Sequence, residues 1–220
     1  MRTLRRLVLA FAVLGLVAAS TAAADHLDPK KRITPADQAR SRAMLLQRSD
    51  LPPDFRAQRQ SGEEPHIVCS QAVSEADLTL TGDAEGATFV LGAVSVSSAS
   101  QIYVSVADAN ASWRRGTSAA GTQCLTNLLR RAFAVQSIRL VSFRKVAFPN
   151  VAERTVGYRA TLSANTPQGA LPLYADVMVL KRSRALAQVF VASALVRPSR
   201  PDEVRLARLV AGRMAQQMRR

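Results

Sequence analysis

The chain has few of the side chains on which most catalytic and metal sites depend. Its 220 residues include two cysteines, two histidines and one tryptophan. His26, His66, Cys69 and Cys124 are too few and too widely spaced to match the ligand pattern of a structural zinc site. The sequence also has no glycine-rich phosphate loop and no G-x-S-x-G nucleophile turn. We therefore expect a non-enzymatic protein without a metal or other cofactor.

Long apolar runs are also scarce, and the clearest one lies at the amino terminus. Residues 7–19 follow the basic start MRTLRR and precede the small residues 22–24. A run of about 13 apolar residues is shorter than the ~20 that a membrane-spanning helix needs, and the flanking residues are typical of a secretory leader. We predict a signal peptide over residues 1–24 and no transmembrane span after it, with an uncleaved anchor as the alternative. We then expect the protein to be secreted or associated with the cell envelope.

The two cysteines are predicted to form a disulfide, because thiols outside the cytoplasm can stay oxidised. A Cys69–Cys124 bridge would close a loop of about 55 residues and stabilise the fold by about 4 kcal/mol on the chain-entropy model. The alternative is a nucleophilic Cys69 with His66 as its base, but no residue that would orient His66 is evident.

Acidic residues are outnumbered, since 30 lysines and arginines face 16 aspartates and glutamates, for a net charge of +14. Lys181, Arg182 and Arg184 cluster at a predicted hairpin and form a candidate patch for an anionic envelope polymer or lipid headgroups. Nucleic acid is disfavoured because no series of aromatic residues accompanies the cations. A solvated surface explains the same excess without a ligand. Other adjacent cations join a patch only if the fold brings them together: residues 114–115, 130–131 and 144–145.

Hydrophobic periodicity predicts an α+β fold. Thr34 and Pro35 mark the start of a first helix, two or three strands follow within residues 78–108, and two helices come next. Four strands then follow one another before a final helix that begins near Pro201. Because no helices separate the last four strands, neighbouring strands must be antiparallel. We predict an antiparallel sheet of about five to seven strands with helices packed on its faces.

The domain boundaries and several local features follow from the same patterns. Residues 25–33 are predicted to be a flexible tether, and residues 34–220 a single domain. Residues 56–66 are predicted to be an exposed loop, residues 181–184 a tight turn, and Ser142 to lie near a β-bulge. The predicted buried positions of the first strands are Phe89, Leu91, Tyr103 and Val106.

Asp176 is an unusual residue in this pattern, since it lies within the apolar segment LPLYADVMVL. A buried carboxylate requires a partner, and Arg159 or Arg144 on neighbouring strands can supply one. We predict a buried Asp176–Arg159 ion pair with a structural role, and a ligand anchor is the alternative.

Several segments together resemble a known group of proteins. They are RAMLLQRSDLPPDF, a cysteine before the first strand, CLTNLL on a helix, VAFPNVAERTVGYRATL and a basic hairpin before the last helix. Over most of residues 34–218 the chain resembles secreted proteins and lipoproteins of GC-rich Gram-positive bacteria. These are similar to the extracellular sensor-like domains of bacterial Ser/Thr kinases and to PsbP-like sandwiches. The resemblance implies a scaffold rather than an active site.

The sequence thus favours an exported, non-enzymatic binding or sensor-like module of the cell envelope, with an unknown ligand. Two alternatives stay open. One is a carrier that holds an apolar ligand or lipid between sheet and helix, and the other is a hydrolase whose site the sequence does not reveal.

Overall fold

The computed structural model describes residues 28–58, 73–134, 138–167 and 169–219. It has the predicted α+β fold, with four α-helices and a nine-stranded, mostly antiparallel sheet in the described part. The helices are α1 (Pro35–Met44), α2 (Val106–Thr117), α3 (Ala119–Ala134) and α4 (Arg200–Gln217). The strands are β1 (Lys30–Lys31), β2 (Arg56–Gln58), β3 (Thr79–Glu85), β4 (Thr88–Leu91), β5 (Val94–Tyr103), β6 (Ile138–Val146), β7 (Arg154–Thr166), β8 (Gly169–Arg182) and β9 (Ala185–Ala194). The predicted leader, Cys69 and both histidines lie outside the described residues.

The strands are ordered β1-β3-β5-β9-β8-β7-β6, and a short β2–β4 ribbon joins the sheet through β5. β1 and β3 are parallel, and every other pair is antiparallel. The predicted tight turn is confirmed, because the β8–β9 ladder continues to the Arg182–Ala185 pair. The predicted bulge is also confirmed, since the register of β6 against β7 shifts between Leu140 and Ser142.

The sheet extends further than the sequence indicates. Lys30 and Lys31, within the predicted tether, form β1 against β3, and the Lys30 amide donates to the Leu78 carbonyl at 2.9 Å. Residues 56–58, within the predicted loop, pair with β4. Both short strands lie at exposed edges, where side chains need not be apolar, so they leave no hydrophobic pattern in the sequence.

Of the four positions predicted to be buried in the first strands, two are buried and two are exposed. Phe89 and Tyr103 are buried as predicted, whereas Leu91 and Val106 are 40% and 46% exposed. The prediction was wrong at these two positions because Leu91 is the last residue of a hairpin strand and Val106 is the first residue of α2. Neither end faces the core.

Helices cover both faces of the sheet. Successive side chains of a strand point to opposite faces, and apolar side chains on each face form a core under the helices. α1 and α4 pack against β3, β5, β8 and β9 on one face, where the core includes Met44, Met178, Val189 and Leu206. α2 and α3 pack on the other face, where Leu129, Phe133, Leu162 and Leu173 form a second core. We name these the α1/α4 face and the α2/α3 face.

Candidate functional site

The predicted cationic patch at the β8–β9 turn is not an exposed cluster, and this corrects the sequence-based interpretation. Lys181 is 1% exposed, and its Nζ donates to Glu153 Oε1 at 2.5 Å. Arg184 donates to both carboxylate oxygens of Asp37 at 2.6 and 2.7 Å and to the Tyr103 carbonyl at 3.0 Å. The Arg182 Nε is buried. The turn therefore directs Lys181 and Arg184 into the protein, where they join the hairpin to the segment before β7 and to α1.

The Asp37–Arg184 pair is built on a close approach of two elements. Thr34 caps α1 by accepting a hydrogen bond from the Asp37 amide at 3.2 Å, as its position predicts. Gly82 of β3 permits this approach, because a Cβ there would lie 2.5 Å from the Asp37 carbonyl oxygen. Hydrogen bonding to Arg184 holds the pKa of Asp37 far below its usual value, despite the opposing effect of burial.

The predicted Asp176–Arg159 pair is present. The two residues are cross-strand neighbours on β8 and β7, and Arg159 Nε donates to the Asp176 oxygens at 2.7 and 3.0 Å. Asp176 is fully enclosed. The hydrogen bonds to Asp176 raise the pKa of Arg159 above its usual value. Arg144, the other candidate partner, lies one strand further away, directly opposite Arg159.

Glu203 completes this cluster, although nothing in the sequence marks it as a site residue. It lies in the first turn of α4 with no solvent exposure. One carboxylate oxygen is 2.9 Å from Arg200 Nη1 and the other is 3.7 Å from Arg159 Nη2. Burial, followed by the neighbouring Asp176, raises the pKa of Glu203 to about 8. Glu203 therefore keeps its proton at neutral pH. The two arginines, Arg159 and Arg200, then face a single charged carboxylate, that of Asp176.

Next to this cluster, the α1/α4 face of β6, β7 and β8 is lined with hydroxyl groups. Strand register places Ser142, Thr161, Tyr174 and Ser193 side by side across four strands. Ser163 lies in the next row, between Arg139 and Pro172. Residues paired directly across strands project to the same face of a sheet. Ser193 is buried and its hydroxyl donates to the Ala194 carbonyl, so we name the other four residues the hydroxyl face: Ser142, Thr161, Ser163 and Tyr174.

Three arginines surround the hydroxyl face, and we name them the arginine rim: Arg139, Arg144 and Arg197. Arg139 and Arg144 are exposed on β6, the edge strand, and neither is in an ion pair within the described part of the chain. The Arg197 guanidinium lies over the ring of Tyr174, 5.5 Å from its centroid. A cation–π contact at that distance holds the charge over the face.

Helix α4 covers β8 and β9 beyond this region, while the helix that contacts β6 is α3, on the opposite side of the sheet. Val141, in the bulge between Arg139 and Arg144, is more than half exposed. The hydroxyls of Ser142, Thr161 and Ser163 have no side-chain partner among the described residues. The arrangement offers hydrogen-bond donors and positive charge to a ligand outside the protein.

A strained turn follows β9 at the border of the hydroxyl face. Leu195 has φ 68°, and the Val196 amide donates to the Ala194 carbonyl at 2.8 Å, which closes a three-residue turn. A branched side chain in this backbone region costs roughly 1–3 kcal/mol. The Leu195 amide also donates to the Pro172 carbonyl at 2.9 Å. The turn leaves Leu195 and Val196 62% and 70% exposed, and we name these two residues the apolar knuckle.

The α2/α3 face has a separate polar network. The Tyr103 hydroxyl donates to Ser112 Oγ at 2.8 Å, and Ser112 Oγ donates to Glu75 Oε1 at 2.5 Å. Burial raises the pKa of Glu75. Because the three side chains bond to one another and Tyr103 and Ser112 are buried, the network ties α2 to the segment before β3. Cys124 lies on α3, and its predicted partner falls outside the described residues.

No protein-family model matches the chain, and no curated protein matches it either. Among solved structures, a similar chain is PA94 from Pseudomonas aeruginosa, a protein of unknown function. It has 11% sequence identity and a TM-score of 0.24, over 58% of this chain and 74% of that one. So low a likeness carries no argument about function.

Among the residues that the structure describes, no helix is long and apolar enough to cross a membrane. Nor do these residues contain a group of three or more histidine, cysteine, aspartate or glutamate side chains that could hold a metal ion.

Proposed function

We propose that the protein is an exported, non-enzymatic binding or sensor-like module of the bacterial cell envelope, and that it holds an anionic ligand on the hydroxyl face. The observation that carries this proposal is the arginine rim: three cations converge on a surface lined with hydroxyl donors. Arg139 and Arg144 lie on β6 and Arg197 follows β9, and only the strand register and the turn before α4 bring these two parts of the sequence together. Donors and cations in this arrangement favour phosphate or carboxylate groups.

The chemistry of the face favours binding over catalysis. Ser142, Thr161 and Ser163 have no base within hydrogen-bonding distance among the described residues, so nothing there activates a hydroxyl as a nucleophile. Glu203, whose pKa is raised to about 8, is enclosed between α4 and the sheet. The apolar-ligand carrier and the hydrolase stay alternative predictions.

Export, the disulfide and kinship with the sensor-like envelope proteins belong to the same proposal. The absence of a free cysteine among the described residues supports the Cys69–Cys124 bridge. Intact-mass spectrometry of the protein from its native envelope tests export and the disulfide. We expect a chain that starts after residue 24 and gains the mass of two hydrogens on reduction. A chain that keeps its leader would contradict export with cleavage of the leader. Two thiols that react before reduction would contradict the disulfide.

Binding to long-chain inorganic polyphosphate, a soluble polyanion, tests the ligand face. The double variant Arg139→Gln/Arg144→Gln should bind roughly tenfold more weakly than the wild type at low salt, because exposed charges act most strongly there. Arg130→Gln/Arg131→Gln on α3 is the matched control, since it removes the same charge from the other side of the sheet. An equal loss in both variants would mean that net charge alone attracts the polyanion, and would refute the site.

A further inference from the structure

Building on the proposed function, we infer that the anionic ligand is the surface of a lipid bilayer and that the apolar knuckle inserts between its headgroups. The inference rests on a juxtaposition at one end of the sheet. Leu195 and Val196 project into solvent beside a face whose cations have no carboxylate partner within the described residues. Peripheral proteins bind anionic bilayers through this combination of inserted apolar side chains and nearby cations.

Strand register fixes the distance between the two parts. The Leu195 amide bonds to Pro172, Pro172 pairs with Ser163, and Ser163 pairs with Arg139. Strands lie about 4.8 Å apart, so the knuckle and Arg139 are separated by roughly 15 Å along one row of the sheet. Arg197 follows the knuckle directly and is held over Tyr174, between the two. A flat anionic surface can therefore meet the cations and the knuckle together.

The knuckle distinguishes a bilayer from a soluble polymer. A hydrophilic polyanion has no apolar layer that could receive a leucine and a valine, whereas the acyl boundary of a bilayer does. The turn also holds Leu195 in a backbone region that glycine tolerates far better. The fold thus maintains a strained conformation that exposes two adjacent apolar side chains. Two other exposed apolar residues, Val104 and Val106, lie in unstrained backbone past the end of β5 that bonds to Arg184, at the opposite end of β9 from the knuckle.

Vesicle co-sedimentation tests the inference. We expect the wild type to bind phosphatidylcholine vesicles that contain phosphatidylglycerol, to bind pure phosphatidylcholine far more weakly, and to be released by salt. Leu195→Ser/Val196→Ser should reduce partitioning roughly tenfold, because about one apolar side chain's burial is lost. Val104→Ser/Val106→Ser is the control, since it removes two exposed apolar side chains at the opposite end of β9 from the knuckle and should bind like the wild type.

Two further variants separate insertion from a folding defect. Leu195→Gly removes the side chain while relieving its backbone strain, so it should keep the thermal midpoint of the wild type and still lose vesicle binding. Brominated phosphatidylglycerol should quench the added fluorescence of Val196→Trp and leave that of Val104→Trp unchanged. Such quenching requires the side chain to reach the acyl region.

The outcomes separate this inference from the proposed function. If the knuckle variants bind vesicles like the wild type and Val196→Trp is not quenched, insertion is refuted, and polyphosphate binding by the rim would still support an anionic polymer as the ligand. If the wild type binds neither polyphosphate nor anionic vesicles, the proposed function itself fails. Concentration-dependent dimerisation that the knuckle variants abolish would identify a second copy of the chain as the occupant, and would also overturn the inference.

Discussion

Two groups of cations in this protein have opposite environments. At the β8–β9 turn, Lys181 and Arg184 each meet a carboxylate inside the fold. On β6, Arg139 and Arg144 lie on the surface, and their cross-strand neighbours are Ser163 and Arg159. The first group is the more conspicuous in the sequence, because its members are nearly contiguous. The comparison teaches that clustering along the chain does not indicate which cations are free to bind a ligand.

The difference arises from residues that are distant in sequence. Asp37 lies 147 positions before Arg184, and Glu153 lies 28 positions before Lys181. Both carboxylates reach the turn only because α1 and the segment before β7 pack beside it. No described element brings a carboxylate to Arg139 or Arg144 in the same way.

The largest expected effect comes from breaking the paired group. Asp37→Ala should lower the free energy of unfolding by about 3 kcal/mol, because it leaves Arg184 without its charge partner in a partly enclosed position. Arg144→Ala, at an exposed and unpaired position, should change it by less than about 0.5 kcal/mol. Urea denaturation of both variants measures the contrast. Equal small effects would show that the Asp37–Arg184 pair does not stabilise the fold.

The buried cluster below the hydroxyl face should make stability depend on pH. The folded protein keeps the Glu203 proton up to about pH 8, whereas the unfolded chain releases it near the usual pKa of 4.5. Stability should therefore fall as the pH rises between those two values, by an amount on the order of a few kcal/mol. Arg159, Arg200 and Asp176 are the charged groups that contact Glu203 or shift its pKa.

Glu203→Gln isolates that contribution, because it keeps the shape of the side chain and removes its ionisation. We expect the decline in unfolding free energy between about pH 5 and 8 to flatten in this variant. Urea titrations at several pH values would measure it. A decline of unchanged slope would assign the pH dependence to another group.

One cation of the paired group, Lys181, can also be replaced by an apolar residue with little loss of stability. Lys181→Met should change the free energy of unfolding by less than about 1 kcal/mol, because an apolar side chain suits the enclosed site and the half-exposed Glu153 regains solvent. Polyphosphate affinity should stay at the wild-type level, whereas Arg144→Met should weaken it. If Lys181→Met weakened binding as much as Arg144→Met, the distinction between the two groups would not hold.

The smallest effect concerns the backbone of the paired turn. Ser183 has φ 50°, a conformation that glycine adopts without strain. Ser183→Gly should raise the free energy of unfolding by about 0.5–1 kcal/mol. Ser163→Gly, in the extended backbone of β7, should lower it instead. Thermal melts of the two variants would show shifts of opposite sign.

The sequence predicted well where a local pattern reflects a local cause. Alternating apolar residues predicted the long strands, and the bulge near Ser142 followed from a break in that alternation. Thr34 was identified as a helix cap because capping depends on residues within one turn. The Asp176–Arg159 pair was predicted because a carboxylate in an apolar strand has few ways to be satisfied.

Prediction was poorer where the cause is non-local. Glu203 shows only as an acidic residue in a first helical turn, which usually faces solvent, and α4 instead buries it beside Asp176. The cations of the hairpin were assigned to a ligand because the sequence does not show where Asp37 and Glu153 will lie. Leu91 and Val106 were expected inside because apolarity alone does not define an element's end.

By itself, the sequence determined the α+β class, the antiparallel order of the last strands, the turn between them and the buried aspartate with its arginine. These follow from side-chain periodicity and connection length, which act within a few residues. Only the tertiary structure decided which charges are neutralised and which stay open, and it alone brought the hydroxyl face, the arginine rim and the apolar knuckle together. The reason is that charge compensation and surface exposure depend on strand register and helix docking, and these join residues that are far apart in the sequence, 147 positions in the case of Asp37 and Arg184.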